Sequence, residues 1–249
     1  MVKILVSYAN KPYFYRSQHF LEQSAKKYFD GCASFHPEKL DKDFVHKNKH
    51  ILDQPRGGGY WLWKPYIILE TLKHVKDGDY VFYVDSGNLI VNDPEPLFKI
   101  VDNITQGILL FENRDGTAND KEVQGGIWQN YMFTKIDCFK KMSCNAHQYV
   151  YGNQIDGSYA LVKKNDYAVK FFTEYLSWAE DADILTDAPN KLGDNYPGFR
   201  DHRHDQSICS LLAIRENITI EEEPSEWGNY TRNSKSKFGQ IFHHHRGLI

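Results

Sequence analysis

The stretch RGGGYWLWKPYIILETLKHVKDGDYVFYVDSGNLIVND, residues 56–93, decides how the chain is read. Gly57-Gly58-Gly59 gives a backbone free to take positive φ and to approach a ligand closely. Lys64-Pro65 then opens a helix, with proline where a missing N–H costs least. Ile68, Leu72 and Val75 recur at helical spacing, and Gly78 ends the helix. Tyr80 to Val84 reads as a short buried strand that stops at Asp85-Ser86-Gly87. A carboxylate at the carboxyl end of a buried strand in an α/β layout sits where ligands bind. Arg56 and Lys64 bracket the glycines, so cationic groups and free amides are placed to meet a diphosphate together.

The runs GYWLWKPYIILETL and GDYVFYVDSG resemble a glycosyltransferase family of the GT-A type, found in bacterial and large-virus surface-glycan pathways. The resemblance implies an α/β fold: a single GT-A-like domain over 1–249 with a Rossmann-type, mostly parallel sheet flanked by helices. It implies a nucleotide-sugar half over about 1–110 and an acceptor half over about 111–249. Asp85-Ser86-Gly87 matches the D-x-D turn that binds metal and nucleotide sugar in that fold. The usual second aspartate is Gly87 here, so a metal ligand is expected from elsewhere in the chain.

Composition agrees with one globular domain: 249 residues, 41% hydrophobic and 14% aromatic, enough to bury a full core. A net charge of −3 gives no sign of nucleic-acid or anionic-membrane binding. No run of about eighteen apolar residues exists, and the opening MVKILVSYAN is too short for a signal peptide's apolar core. A cytoplasmic protein is expected. Cys32, Cys138, Cys144 and Cys209 show no metal spacing and are expected as free thiols. Without a secretion signal, the Asn103, Asn217 and Asn229 sequons are expected to be fortuitous.

Taken in order, Lys3 to Tyr8 reads as a buried strand, Tyr13 to Tyr28 as a helix and Cys32 to His36 as a second strand. The resemblance implies that the turn Ser7-Tyr8-Ala9-Asn10 touches base and ribose; an ordinary βα turn is the other reading. Leu40 to Leu52 reads as a charged helical segment, Leu97 to Ile104 as a short helix and Gly107 to Phe111 as a core strand. Arg114 to Gln124 is a polar surface loop. Gly125 to Phe133 is expected to return to the sheet, followed by a helix over Lys135 to Lys141. Gln154 to Ser158 precedes a strand over Tyr159 to Val162. The resemblance places Asp156 and Gly157 beside donor sugar and acceptor, against a plain turn-forming aspartate. Asp166 to Ala179 is an amphipathic helix capped by Asn165 or Asp166. Ile184 to Phe199 reads as a long loop on the acceptor side.

His202-Arg203-His204-Asp205-Gln206-Ser207 runs into an apolar helix over Ile208 to Ile214. Asp205 would serve as a cap, but the Asp-Gln pair resembles one that lies beside the transferred sugar in retaining GT-A enzymes. The resemblance therefore implies Asp205 as a catalytic group alongside Lys64, with His204 and Gln206 touching substrate. Asp205 is either a general base for the acceptor hydroxyl or a stabiliser of positive charge at the anomeric carbon. The chain closes on Phe242-His243-His244-His245-Arg246. On a strand His243 and His245 share one face, with His244 pointing away. The resemblance suggests His243 and His245 as partners of Asp85 on Mn²⁺ or Mg²⁺, with Arg246 on phosphate.

The leading expectation is a metal-assisted glycosyltransferase. It would use a nucleotide-sugar donor, UDP- or GDP-linked, and a glycan or other hydroxyl acceptor. Two readings compete. A sugar-nucleotide-forming nucleotidyltransferase normally carries a glycine-rich basic loop after the first strand, and SYANKPYFYRS has none. A carbohydrate-binding pseudo-enzyme would explain the aromatic content and the degraded D-x-G triplet, and Lys64, Asp205 and the histidine run argue against it.

Overall fold

The computed structural model describes residues 1–113, 128–226 and 236–245. The Arg114–Gln124 loop, residues 125–127, Arg246 and the Asn229 sequon therefore lie outside the described residues. The chain forms strands β1 (Lys3–Tyr8), β2 (Gly31–Phe35), β3 (Tyr80–Val84), β4 (Asn88–Ile90), β5 (Ile108–Phe111), β6 (Tyr159–Lys163), β7 (Thr219–Glu221) and β8 (Phe242–His244). Six of them build a central sheet in the order β2-β1-β3-β6-β5-β7. Neighbours run parallel except where β6 pairs antiparallel with β3 on one side and β5 on the other. The sheet is thus α/β and mostly parallel, with one reversed strand near its centre.

β3 shows why the apolar run YVFYV becomes a central strand. All five residues are buried, and their alternation feeds two cores. Tyr80, Phe82 and Val84 face a cluster with Leu21, Ala25, Leu97 and Phe98, from the helices Pro12–Ala25 and Glu95–Val101. Val81 and Tyr83 face the other cluster, filled by Ile67, Ile68, Phe172 and Leu211. Those come from the helices Trp63–His74, Asp166–Ala179 and Asp205–Arg215. A strand covered on both faces has no solvent side to mark with polar residues, hence the unbroken apolar run.

The expected first strands, the 63–74 helix and the 166–179 helix with its Asn165 cap are present, the Asn165 side chain accepting from the Ala168 amide. Residues 128–133 differ from expectation. Gln129 makes one bridge to Asn153, and Asn130–Phe133 is a helical turn, not a strand. The turn lets Trp128 stack on Phe133 with centroids 4.3 Å apart; five extended residues would separate them by about 16 Å. Four free cysteines match the sequence reading. Among the described residues, no helix is long and apolar enough to cross a membrane.

The glycine run forms the least ordinary backbone of the chain. Gly57, Gly58, Gly59, Tyr60 and Trp61 all take positive φ, making one left-handed turn before the 63–74 helix. The two non-glycine members cost about 1–2 kcal/mol each, offset by packing: Trp61 stacks on His204 at 5.6 Å and Trp63 Nε1 donates to Gly57 O at 3.0 Å. At Gly59 an added Cβ would stand 2.6 Å from the Leu52 Cα, whereas at Gly78, also at positive φ, it would meet nothing within 4 Å. Gly78→Ala should then cost about 1–2 kcal/mol from backbone handedness alone. Gly59→Ala adds a clash of about 1–3 kcal/mol. Thermal melting should show Gly59→Ala losing clearly more than Gly78→Ala, by about 2–4 °C per additional kcal/mol; equal losses would mean the left-handed turn is loosely held.

Candidate active site

The carboxyl ends of β1 and β3 open onto a cleft of about 610 Å³. Tyr8, Asn10 and Lys11 from the β1 turn line it, with Gly57, Gly58, Trp61 and Trp63 from the left-handed turn. Asp85, Ser86, Gly87 and Asn88 after β3 complete it with Ser158, Arg203 and His244. Tyr8 stacks on Trp63 at 4.0 Å and 17°. This joins the glycine-rich turn to the first strand and gives the cleft an aromatic wall. Ser7 and Ala9, expected beside base and ribose, are instead fully packed. The Ser7 hydroxyl accepts from Gln18 Nε2 at 3.0 Å, and the Ala9 amide donates to Phe35 O at 3.1 Å.

A smaller recess of about 140 Å³ adjoins the cleft, and Asp85, Trp61, Ser158 and Arg203 line both. Lys64, Gly157, His204, Asp205 and Gln206 form the rest of its wall, with Arg56 at its edge. Lys64 Nζ lies 2.9 Å from Asp205 Oδ2 and donates to Gly157 O at 2.9 Å. Both charged side chains are buried, at 7% and 4% exposure. Tyr175 donates its hydroxyl to Asp205 Oδ2 at 3.2 Å, and the Tyr83 hydroxyl donates to Asp85 Oδ1. Burial pushes the Asp205 carboxyl above its ordinary value, with Lys64 pulling it back. Burial also works against the Lys64 charge, but Asp205, Asp85 and Asp156 outweigh it and raise the amine. The same three acids act on the Tyr83 phenol, which burial above all lifts far from titration. Acids separated widely in sequence therefore converge on Lys64 and Tyr83.

Asp205 is not the helix cap that its position suggested. His204 is the N-cap, at φ 53°, and Asp205 is the first helical residue with its carboxylate turned to Lys64. His204 is held by Leu185 O at 2.8 Å, and burial lowers its imidazole to about 4. Gln206 Nε2 donates to Gln154 Oε1 at 2.9 Å, bracing the recess against the turn before β6. Arg56, expected on a diphosphate, pairs with Asp187 at 3.0 Å and Asp201 at 2.8 Å. Arg203, in a run already singled out, is the cation that lines both cavities, its guanidinium 4.7 Å over Trp128.

The C-terminal histidines reach the expected neighbourhood with a different one facing inward. β8 pairs with β4, Asn88 opposite His244, and the His245 amide donates to Gly87 O at 3.0 Å. His244 lines the cleft; His243 points out, 47% exposed, with Nδ1 3.2 Å from Glu226 Oε1. His245 is buried. Asp156, Glu223 and His244 each bring one ligand atom within 4.8 Å of the others. Two carboxylates and an imidazole suit Mn²⁺ or Mg²⁺, so the donor set present fits the ion expected from the sequence. Glu223 carries no sequence signal, lying in the acidic run IEEEPSE; its approach to His244 Nε2 at 3.2 Å singles it out.

No protein-family profile and no curated protein sequence matches the chain. Among solved structures it is similar to mouse xyloside xylosyltransferase 1 (10% identity, TM-score 0.49, 97% of each chain covered). It is also similar to a glycosyltransferase involved in glycosylation of the major capsid of PBCV-1 (11% identity, TM-score 0.47), over 98% of this chain and 94% of that one. The bifunctional glycosyltransferase WbbM matches at TM-score 0.50 and 11% identity, over 98% of this chain but 45% of that one. The last of these, at TM-score 0.50, shows a shared fold: the mixed α/β, mostly parallel arrangement of a glycosyltransferase.

Removing Lys64 leaves the Asp205 charge buried without its partner. Lys64→Met should lower unfolding free energy by about 3–5 kcal/mol in urea denaturation. Adding Asp205→Asn to it should recover part of that loss; a double variant as unstable as the sum of its singles would show that the two charges are uncoupled.

Proposed function

We propose that the chain is a glycosyltransferase that moves a sugar from a nucleoside-diphosphate sugar to a hydroxyl of a glycan acceptor, assisted by a divalent cation. The observation that carries this reading is the buried Lys64–Asp205 pair, set in a small polar recess that adjoins a nucleotide-sized cleft. The cleft falls in the size range of small-molecule sites, about 300–1,000 Å³, and its aromatic wall at Tyr8 and Trp63 suits a nucleoside. The recess has the volume of about five waters, the scale of a single sugar ring. Asp85, lining both spaces, stands where the diphosphate would meet the sugar.

In this reading Asp205 faces the anomeric carbon. Lys64 and Tyr175 both donate to its Oδ2, which counters the cost of burying its charge and fixes the carboxylate in place. That favours the electrostatic role, a preorganised negative charge opposite the positive charge that develops as the glycosidic bond breaks. Gln206 and Gly157 line the sugar recess, and His204 shapes it from behind its strained cap. Arg203, reaching both spaces, is placed to offset negative charge on the departing diphosphate. A bound divalent cation would supply further neutralisation of that leaving group.

The test is turnover of a panel of UDP- and GDP-sugars with and without Mn²⁺, read by mass spectrometry of product. Asp205→Asn should retain donor affinity within a few-fold and lose about a hundredfold or more in kcat per folded molecule. Activity that falls only in proportion to folded protein would make Asp205 a structural residue. Glycan binding without turnover of any donor by the unaltered chain would make it a binding protein.

A further inference from the structure

We propose that Asp156, Glu223 and His244 form a divalent-cation site beside the cleft, which it meets at His244, Glu223 supplying the carboxylate that Gly87 lacks. The three come from separate parts of the fold: the turn before β6, the segment after β7 and the last residue of β8. Glu223 Oε1 and His244 Nε2 are 3.2 Å apart. Adjacent ligands on an octahedral ion with bonds of about 2.1 Å stand about 3.0 Å apart, so this pair needs almost no movement to share one. The set is buried: Asp156 is 8% exposed and Glu223 3%. Two carboxylates gathered out of water repel each other and lose hydration; a shared cation answers both costs.

The surroundings hold both carboxylates in place, as outer partners do around metal sites. Asp156 is fixed at both ends, its amide donating to Phe111 O at 2.7 Å and its Oδ1 accepting from the Ser158 amide at 2.8 Å. Ser225 donates to Glu223 Oε1 at 2.5 Å. The Tyr159 hydroxyl donates to Asn88 Oδ1 at 2.7 Å and lies 2.9 Å from His244 Nε2, a contact that an ion on that nitrogen would replace. Asn88 immediately follows Gly87, and β8 is hydrogen-bonded along this turn. The cluster therefore abuts the one place where the D-x-D pattern is broken. Since His244 and Asn88 also line the cleft, an ion held here would be open to phosphate oxygens. His243, on the opposite face of β8, is left out of the set.

The site deepens the glycosyl-transfer reading, but its test requires no turnover. Mn²⁺ alone is titrated into the full chain by calorimetry, and the bound ion is examined by pulsed electron paramagnetic resonance. The expected result is one ion per chain, with ¹⁴N coupling from one imidazole. Glu223→Gln should weaken binding tenfold or more, and His243→Ala should leave it within about threefold. His244→Gln should abolish the ¹⁴N coupling, which decides the matter even if Glu223→Gln fails to fold. The proposal is overturned if the chain binds no Mn²⁺ at millimolar concentration. It is overturned equally if Glu223→Gln binds as the unaltered chain does, or if the coupling survives His244→Gln. Mn²⁺ bound by these three residues in a protein that turns over no donor would sink the transferase reading and leave the metal site standing.

Discussion

A lysine and an aspartate, both taken out of water and set against each other, fix the relative positions of three parts of this molecule. Lys64 belongs to the second residue of the 63–74 helix, Asp205 begins the 205–215 helix, and Gly157 O belongs to the turn that leads into β6. Any shift of one helix along the other would leave a buried charge exposed to a medium that cannot solvate it. Buried pairs of this kind add little net stability over an apolar pair but are very costly to break singly. The pair thus acts as a register pin. The apolar clusters on either side of the sheet give cohesion, and the pair decides where the cohesive parts stop.

Two strained backbone elements meet at this pin. The left-handed turn at Gly57–Trp61 delivers Lys64, and the positive φ of His204 delivers Asp205. They support each other directly, since Tyr60 and Trp61 pack on the His204 ring at 4.8 and 5.6 Å. Strain of this sort persists where neighbours over-determine the conformation, and it gathers at sites that must hold an unusual geometry.

Much of this was legible in the amino-acid sequence, and for identifiable reasons. β3 could be read because a strand covered on both faces must be apolar throughout, and the 166–179 helix because Asn165 caps a clear amphipathic stripe. Asp85 stood out as an acid at the end of such a strand. The reversal of β6 was invisible, because an apolar strand between two covered faces reads the same in either direction. The helical turn at 130–133 was mistaken for a strand because four residues of mixed aromatic character carry no period. His243 and His245 were chosen over His244 by alternation alone. Alternation says which residues share a face; that His244 lines the cleft while His243 is exposed and His245 is buried past the strand end depended on β4, three residues long and unanticipated.

The strand order carries a consequence for how the chain reaches this state. β6 lies between β3 and β5, so both strands, made early, keep an unpaired edge until residues 159–163 emerge. Closing such a long loop before any contact rewards it is slow, and bare strand edges invite pairing with other chains. The same late strand follows the turn that carries Asp156 and Gly157 into place beside Lys64. A nascent chain therefore has the Tyr8–Trp63 wall of the cleft long before it has the recess beside Lys64. On the ribosome, β6 emerges before β7, Asp205 and His244, so the centre of the sheet can close well before the recess is complete.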